Sequence, residues 1–367
     1  MNKENVKPVS MMNEATVKDY IDKRIGEGNI PGIQYMVMDS DRIIFEYAKG
    51  WADIKDQKPM KTGTTMMAYS MTKTITAAAI LQLAEKGELG LADSIDLHLT
   101  CNPYGKTISI RHLLSQTSGI PNPIPLRWVH LAEKHEEFDE DAALAKILKG
   151  YPDLSFEPGK KYAYSNISYW LLGKIIEKVS GQTYSTYIRE HIMLPLQLSD
   201  KEMNCIVPDP NNHAKGYLAK YSFMNLLKGF FIDKELIGDY EGNWLHIKDH
   251  YLNGAAFGGL IGSAGSFGKF LQDQLKEESV LFNKETRTLF YTQQKNNAGE
   301  SVEMTLGWHI GYLEGMKYFF KEGGGGGYHC EMRIYQKKRV ASVVMINETS
   351  ANCKNYLNIL DKPFLSV

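Results

Sequence analysis

The chain has 367 residues, 43% of them hydrophobic and 23% charged, which is the composition of an ordinary globular protein with a substantial core. Its formal net charge of −1 provides no strong field of the kind that nucleic acid or an acidic partner would require. No run of about 18 apolar residues marks a transmembrane helix. No apolar segment of signal-peptide type follows the polar N-terminus, so a cytoplasmic location is expected.

Helical spacing of Val17, Tyr20, Ile21 and Ile25 predicts a first helix over 16–25, stopped by Gly26 and Gly28. Residues 33–38 and 42–47 are β-rich and separated by Asp39-Ser40-Asp41, the pattern of a hairpin. The segment 72–86 is apolar nearly all round, which predicts a helix buried in the middle of the molecule. Helical periods recur at 110–115, 141–148, 168–179, 184–191 and 267–276. The last part turns back to β, with strand candidates at 305–311, 317–321, 329–335 and 340–347, and a final helix at 351–360. Lys337-Lys338-Arg339 reads as a polar turn between strands.

The expected architecture is therefore α/β of the α+β kind. An antiparallel sheet is built from residues 1–60 and 300–367, and the mostly α-helical 61–299 is inserted into it. Phe223–Ile237 is unusually apolar and is read as core, as a lid or as a membrane-surface helix. Cys101, Cys205, Cys330 and Cys353 form no CxxC pair, so a zinc knuckle or thioredoxin-type site has no support and free thiols are expected.

The common catalytic signatures are absent. There is no GxSxG elbow, no HExxH, no dinucleotide fingerprint and no Walker sequence. The acidic residues around His135-Glu136-Glu137 read as a solvated charge run. Ser70-Met71-Thr72-Lys73 is different, because it opens the most apolar helix in the chain. Residues three apart share a helix face, so the Lys73 amine can reach the Ser70 hydroxyl. A lysine enclosed in apolar helix loses solvation and its pKa falls, so it can take the serine proton. A second Ser-x-x-Lys occurs at Ser266 and Lys269, where Ser266 reads as an N-cap and Lys269 as a surface residue.

Two later segments separate the pairs. Tyr164-Ser165-Asn166 follows a Pro-Gly turn and precedes a helical run. Lys321-Glu322-Gly323 ends a strand and enters the five glycines 323–327. In this order, Ser70-x-x-Lys73, Tyr164-x-Asn166 and Lys321-x-Gly323 resemble the serine β-lactamase and penicillin-binding protein superfamily. The likeness is nearest to its class C β-lactamase-like branch, which includes esterases, D-aminopeptidases and D,D-carboxypeptidases. Residues 110–119 and 258–263 resemble supporting segments of the same family.

The resemblance implies acyl transfer on small-molecule or short-peptide esters or amides, without a metal or organic cofactor. Ser70 is then the nucleophile, and Lys73 and Tyr164 share the general-base work, with Lys73 and Lys321 favouring a tyrosinate or a strongly polarised hydroxyl. Asn166 holds Lys73 and the substrate amide. The backbone N–H groups of Ser70 and Gly324 form the oxyanion hole. Glu322 departs from the family, which has a small residue there. A carboxylate at that place repels carboxylate-bearing substrates, unless it turns away or pairs with a nearby cation such as Lys321, so β-lactam hydrolysis is expected as a side activity at most. The resemblance also implies that 204–257 shapes the pocket, with Tyr217, Phe223, Phe230, Phe231, Trp244 and His246 as an expected aromatic wall. The competing reading is a binding or sensing protein of the same fold with little turnover.

Overall fold

The computed structural model describes residues 9–100, 102–123, 128–231 and 233–365. Cys101 lies outside the described residues, as do the side chains of Phe230 and Phe231.

Strand β1 (Gly32–Met38) turns back into β2 (Ile43–Asp53), and β3 (Lys58–Pro59) follows on the outer edge. The turn between β1 and β2 is held by Asp39, whose Oδ1 accepts the N–H groups of Asp41 and Arg42 at 2.8 and 2.9 Å. Four strands come from the other end of the chain: β4 (His309–Leu313), β5 (Met316–Gly325), β6 (Tyr328–Tyr335) and β7 (Val340–Ile346). They form a seven-stranded sheet in the order β4-β5-β6-β7-β1-β2-β3. Every neighbouring pair is antiparallel. The β1–β7 ladder, from Ile33 opposite Ile346 to Met38 opposite Ala341, joins the two ends of the chain. The expected sheet from both termini is therefore the observed one.

Every residue of β1 and β7 is buried, which explains their continuous apolar sequences. Side chains alternate between two cores with the strand period of 2. Met36, Met38, Val343 and Met345 face the helical region. Ile33, Tyr35, Val37, Val344 and Ile346 face the opposite layer. Five helices matter here: α1 (Val9–Gly26), α2 (Thr72–Glu85), α3 (Asn166–Ser180), α4 (Ala264–Leu275) and α5 (Cys353–Leu360). Helices α1 and α5 cover one face of the sheet, while α4 packs on the other beside the helical region. Residues 72–83 of α2 are all buried, as its apolar circumference predicts.

Some boundaries differ from the sequence reading. Residues 305–308 form a turn rather than the start of a strand, with the Thr305 N–H donating to Trp308 O and Gly307 at φ +115°. Strand β5 runs four residues past Lys321 because Glu322 to Gly325 continue the ladder with β6. Ser263, not Ser266, caps α4: its Oγ accepts the Ser266 N–H, while Ser266 Oγ accepts the Ser263 N–H at 2.8 Å. Lys269 is a surface residue paired with Glu202 at 2.9 Å. Lys337 and Lys338 lie in a short 3₁₀ turn closed by Arg339 at φ +55°.

The apolar segment 223–237 is not simply core. Phe223 and Leu226 are 75% and 80% exposed, whereas Asn225 and Leu236 are buried. Cys205, Cys330 and Cys353 are free thiols. No helix among the described residues is long and apolar enough to cross a membrane.

Candidate active site

Residues 69–71 form a 3₁₀ turn that runs directly into α2. Tyr69 takes φ +44°, a left-handed conformation that costs a non-glycine residue about 1–2 kcal/mol. Its side chain holds it there. The phenol donates to Gly326 O at 2.6 Å and lies 3.1 Å from His250 Nε2. Ser70 follows on this strained turn. The N-cap position of α2 is Met71, with no side-chain cap, so Ser70 is free of the capping role open to such a serine. Its Oγ instead lies 2.7 Å from Tyr164 Oη and 3.0 Å from Lys73 Nζ.

Lys73 is fully buried. Its Nζ donates to Asn166 Oδ1 at 2.7 Å and to the Phe257 carbonyl at 2.5 Å. Burial, and then the neighbouring Lys321 charge, hold its pKa well below the ordinary lysine value. A neutral amine has two N–H donors and one lone pair. The two carbonyl-type acceptors match the donors, which leaves the lone pair for the Ser70 hydroxyl.

The orientation of Asn166 is built by its surroundings. Ser165 is the N-cap of α3, with its Oγ accepting the Ser168 N–H. The Asn166 backbone N–H and side-chain Nδ2 both donate to Asn122 Oδ1, at 3.0 and 3.2 Å. That leaves Oδ1 of Asn166 for Lys73. Asn122 was not singled out from the sequence, because nothing in its own neighbourhood marks it.

Tyr164 is half-buried, with Lys73 Nζ 4.9 Å and Lys321 Nζ 5.5 Å from its ring centre. Desolvation raises its pKa above the ordinary phenol value. Of the two forms open from the sequence, this direction favours the polarised hydroxyl over the tyrosinate. Both lysines are pushed toward the neutral amine, so they do not offset the desolvation.

Lys321 projects from β5, fully buried, and its Nζ has no hydrogen-bond partner among the described residues. Burial pushes its pKa down to about 7. Gly323 lies against the backbone of the serine turn. A Cβ there would collide with Ala68 O and come within 2.9 Å of Ser70 N, so glycine is required for this approach. Gly324 pairs with His329 across β5 and β6 and lines the cleft.

Glu322 does not pair with Lys321. Its Oε1 receives a 2.7 Å hydrogen bond from His329 Nε2, and this bond is the main cause of a carboxyl pKa below the ordinary value. The pair opens on a cleft of about 610 Å³ whose lining also includes Tyr164, His309, Phe320 and Met224. Of the expected wall from 204–257, the cleft takes Met224 instead. Tyr217 is fully buried and bonds to Glu241, and Phe223 points largely to solvent. The aromatic lining comes from Tyr164, Phe320 and His309, which alternation could not assign to the cleft before the sheet was known.

Ser70, Lys73, Tyr164, Asn166, Lys321 and Gly323 thus come together from three separated segments, with Tyr164 also lining the cleft, an arrangement suited to a nucleophilic serine served by a desolvated amine. The Beta-lactamase family model matches residues 17–361, and the chain belongs to that family. It is 28% identical to penicillin-binding protein 4* of Bacillus subtilis over 312 residues, 83% of this chain and 66% of that protein. It is 30% identical to protein flp of Staphylococcus aureus over 191 residues, 51% of this chain and 37% of that protein. The matched stretches therefore span less than two thirds of either relative. Among solved structures, the octameric penicillin-binding protein homologue from Pyrococcus abyssi superposes with a TM-score of 0.78 at 24% identity, covering 96% of this chain and 77% of that one. A class C β-lactamase superposes with a TM-score of 0.76 at 18% identity, covering 99% of each chain. These two likenesses establish the fold.

Proposed function

We propose that the protein is a serine acyl hydrolase acting on ester or amide bonds of small molecules or short peptides. The observation that carries this reading is Ser70 Oγ within 3.0 Å of a fully buried Lys73 amine and 2.7 Å from Tyr164 Oη. Ser70 attacks the substrate carbonyl carbon as its proton passes to the Lys73 amine. The Oγ–C bond forms, and the carbonyl oxygen takes the negative charge, facing the backbone N–H groups of Ser70 and Gly324. Collapse breaks the bond to the leaving alcohol or amine. That group takes a proton from the Tyr164 hydroxyl, which is resupplied from Lys73. Water then attacks the Ser70 ester by the reverse proton route, and the acid leaves with Ser70 restored. Lys321, buried without a hydrogen-bond partner among the described residues, supplies positive charge beside Tyr164 when it is protonated.

Nitrophenyl esters and anilides assayed with wild type and Ser70→Ala test this reading. It expects turnover of at least one series and its loss, by 10³-fold or more, in Ser70→Ala. Turnover that survives the substitution contradicts it. A covalent adduct without turnover of any substrate supports instead the binding or sensing protein.

A further inference from the structure

We propose that Glu322 and His329 form a recognition site for a substrate ammonium or guanidinium group beside the acyl-transfer centre, an inference that rests on the acyl-hydrolase reading. Glu322 immediately precedes Gly323, the residue packed against Ser70 N; alternation turns its side chain to the face opposite Gly323 and Lys321, yet it lines the same cleft as Tyr164, whose Oη is 2.7 Å from Ser70 Oγ. Its side chain is 43% exposed, and Tyr164 lines the same cleft. The hydrogen bond from His329 Nε2 engages Oε1 and leaves Oε2 for a ligand. Lys321, the adjacent cation on β5, is fully buried and bonded to nothing described, so it does not neutralise Glu322 at the cleft surface. Phe320 and Met224 supply apolar surface beside the carboxylate. A cationic head on a short apolar stem fits this combination, whereas a substrate carboxylate meets repulsion.

The two ring nitrogens of His329 face acceptors, Nε2 toward Glu322 and Nδ1 toward Thr349 O at 3.4 Å. Protonated, the imidazolium cancels the charge of Glu322. Neutral, it keeps its one proton on Nε2 and the pair carries a net charge of −1. Glu331 on β6 also favours the imidazolium, while Lys354 of α5 and Arg333 of β6 favour the Glu322 carboxylate, and Glu348 lies within electrostatic reach of the imidazole. The His329 pKa is raised above the ordinary histidine value despite burial. The preference for cations therefore grows as pH rises through that raised value.

The test is calorimetric titration of Ser70→Ala with ethyl 6-aminohexanoate and with ethyl hexanoate. The amine ester is expected to bind at least tenfold tighter at pH 8.5, with the ratio shrinking at pH 6 and vanishing in Ser70→Ala combined with Glu322→Gln. Equal binding of the two esters at pH 8.5 overturns the proposal, as does a tenfold preference that survives Glu322→Gln. The pH comparison needs no change at Glu322, so it decides the matter even if that variant folds poorly. Hydrolysis of both esters by wild type is read separately. Its absence contradicts the hydrolase reading and leaves the binding result standing.

Discussion

Lys73 Nζ lies 2.7 Å from Asn166 Oδ1 across 93 positions of sequence, and that contact ties the start of α2 to the start of α3. In the proposed mechanism it also orients the base. With Asn166 and the Phe257 carbonyl taking the amine protons, the remaining valence of the nitrogen points to Ser70.

A base of this kind must be deprotonated to act. The kcat/KM for an ester is therefore expected to rise with pH along a limb that lies below the ordinary lysine value, because burial lowers the Lys73 pKa. The Lys321 charge lowers it further, so Lys321→Met should move the limb to higher pH as well as slow the reaction. A pH–rate profile of both proteins checks this. A limb that stays in place, or moves to lower pH, contradicts the assigned coupling.

Tyr164→Phe removes a hydroxyl 2.7 Å from Ser70 Oγ, the proposed nucleophile, and leaves the ring that packs near both lysines. The expected outcome is a fall of about 10²–10⁴ in kcat with a small change in melting temperature. Steady-state kinetics and a thermal melt measure the two separately.

The second Ser-x-x-Lys should prove silent in catalysis. Ser266→Ala breaks the reciprocal capping of α4 with Ser263 and should cost about 1 kcal/mol of stability. Ester turnover per folded molecule should match wild type. Denaturant unfolding paired with the ester assay checks both halves.

Much of this was legible in the sequence. The sheet strands follow from runs such as 33–38 and 340–347, whose continuous apolar character is that of strands covered on both faces. Ser70 and Lys73 could be paired because three residues of helix put them on one face. The pair could be separated from Ser266 and Lys269 by its place on the most apolar helix and by its company, since local spacing treats the two alike. What stayed hidden depends on contacts between distant segments. Asn122, the Phe257 carbonyl and the turn-holding bond from Tyr69 to Gly326 have no local signature. The partner of Glu322 likewise has no local signature, because His329 reaches it across a hairpin, while alternation places Lys321 on the opposite face. The protonation state of Tyr164 depends on burial, which the sequence does not express.

The layer behind the sheet carries its own electrostatic prediction. Arg333 and Glu331 are both fully buried and 2.5 Å apart, and Arg333 also donates to Asn358 Oδ1 and Lys354 O. Desolvation outweighs the attraction of Arg333 and pushes the Glu331 carboxyl up to about 7. A carboxyl whose folded pKa is raised binds more protons folded than unfolded, so its contribution to stability falls as pH rises from about 4.5 toward 7. Arg333→Met leaves Glu331 and Asp361 without their buried cation and should cost about 3–5 kcal/mol at neutral pH, with a smaller cost near pH 5. Urea unfolding at the two pH values measures the difference.

The most direct test of the account is the site of covalent capture. Incubation with a fluorophosphonate probe, followed by peptide mass spectrometry, should place the adduct on Ser70, with labelling abolished in Ser70→Ala and much slower in Lys73→Met. Label on Ser266 or another residue, or labelling of Ser70 undiminished by the loss of Lys73, contradicts it.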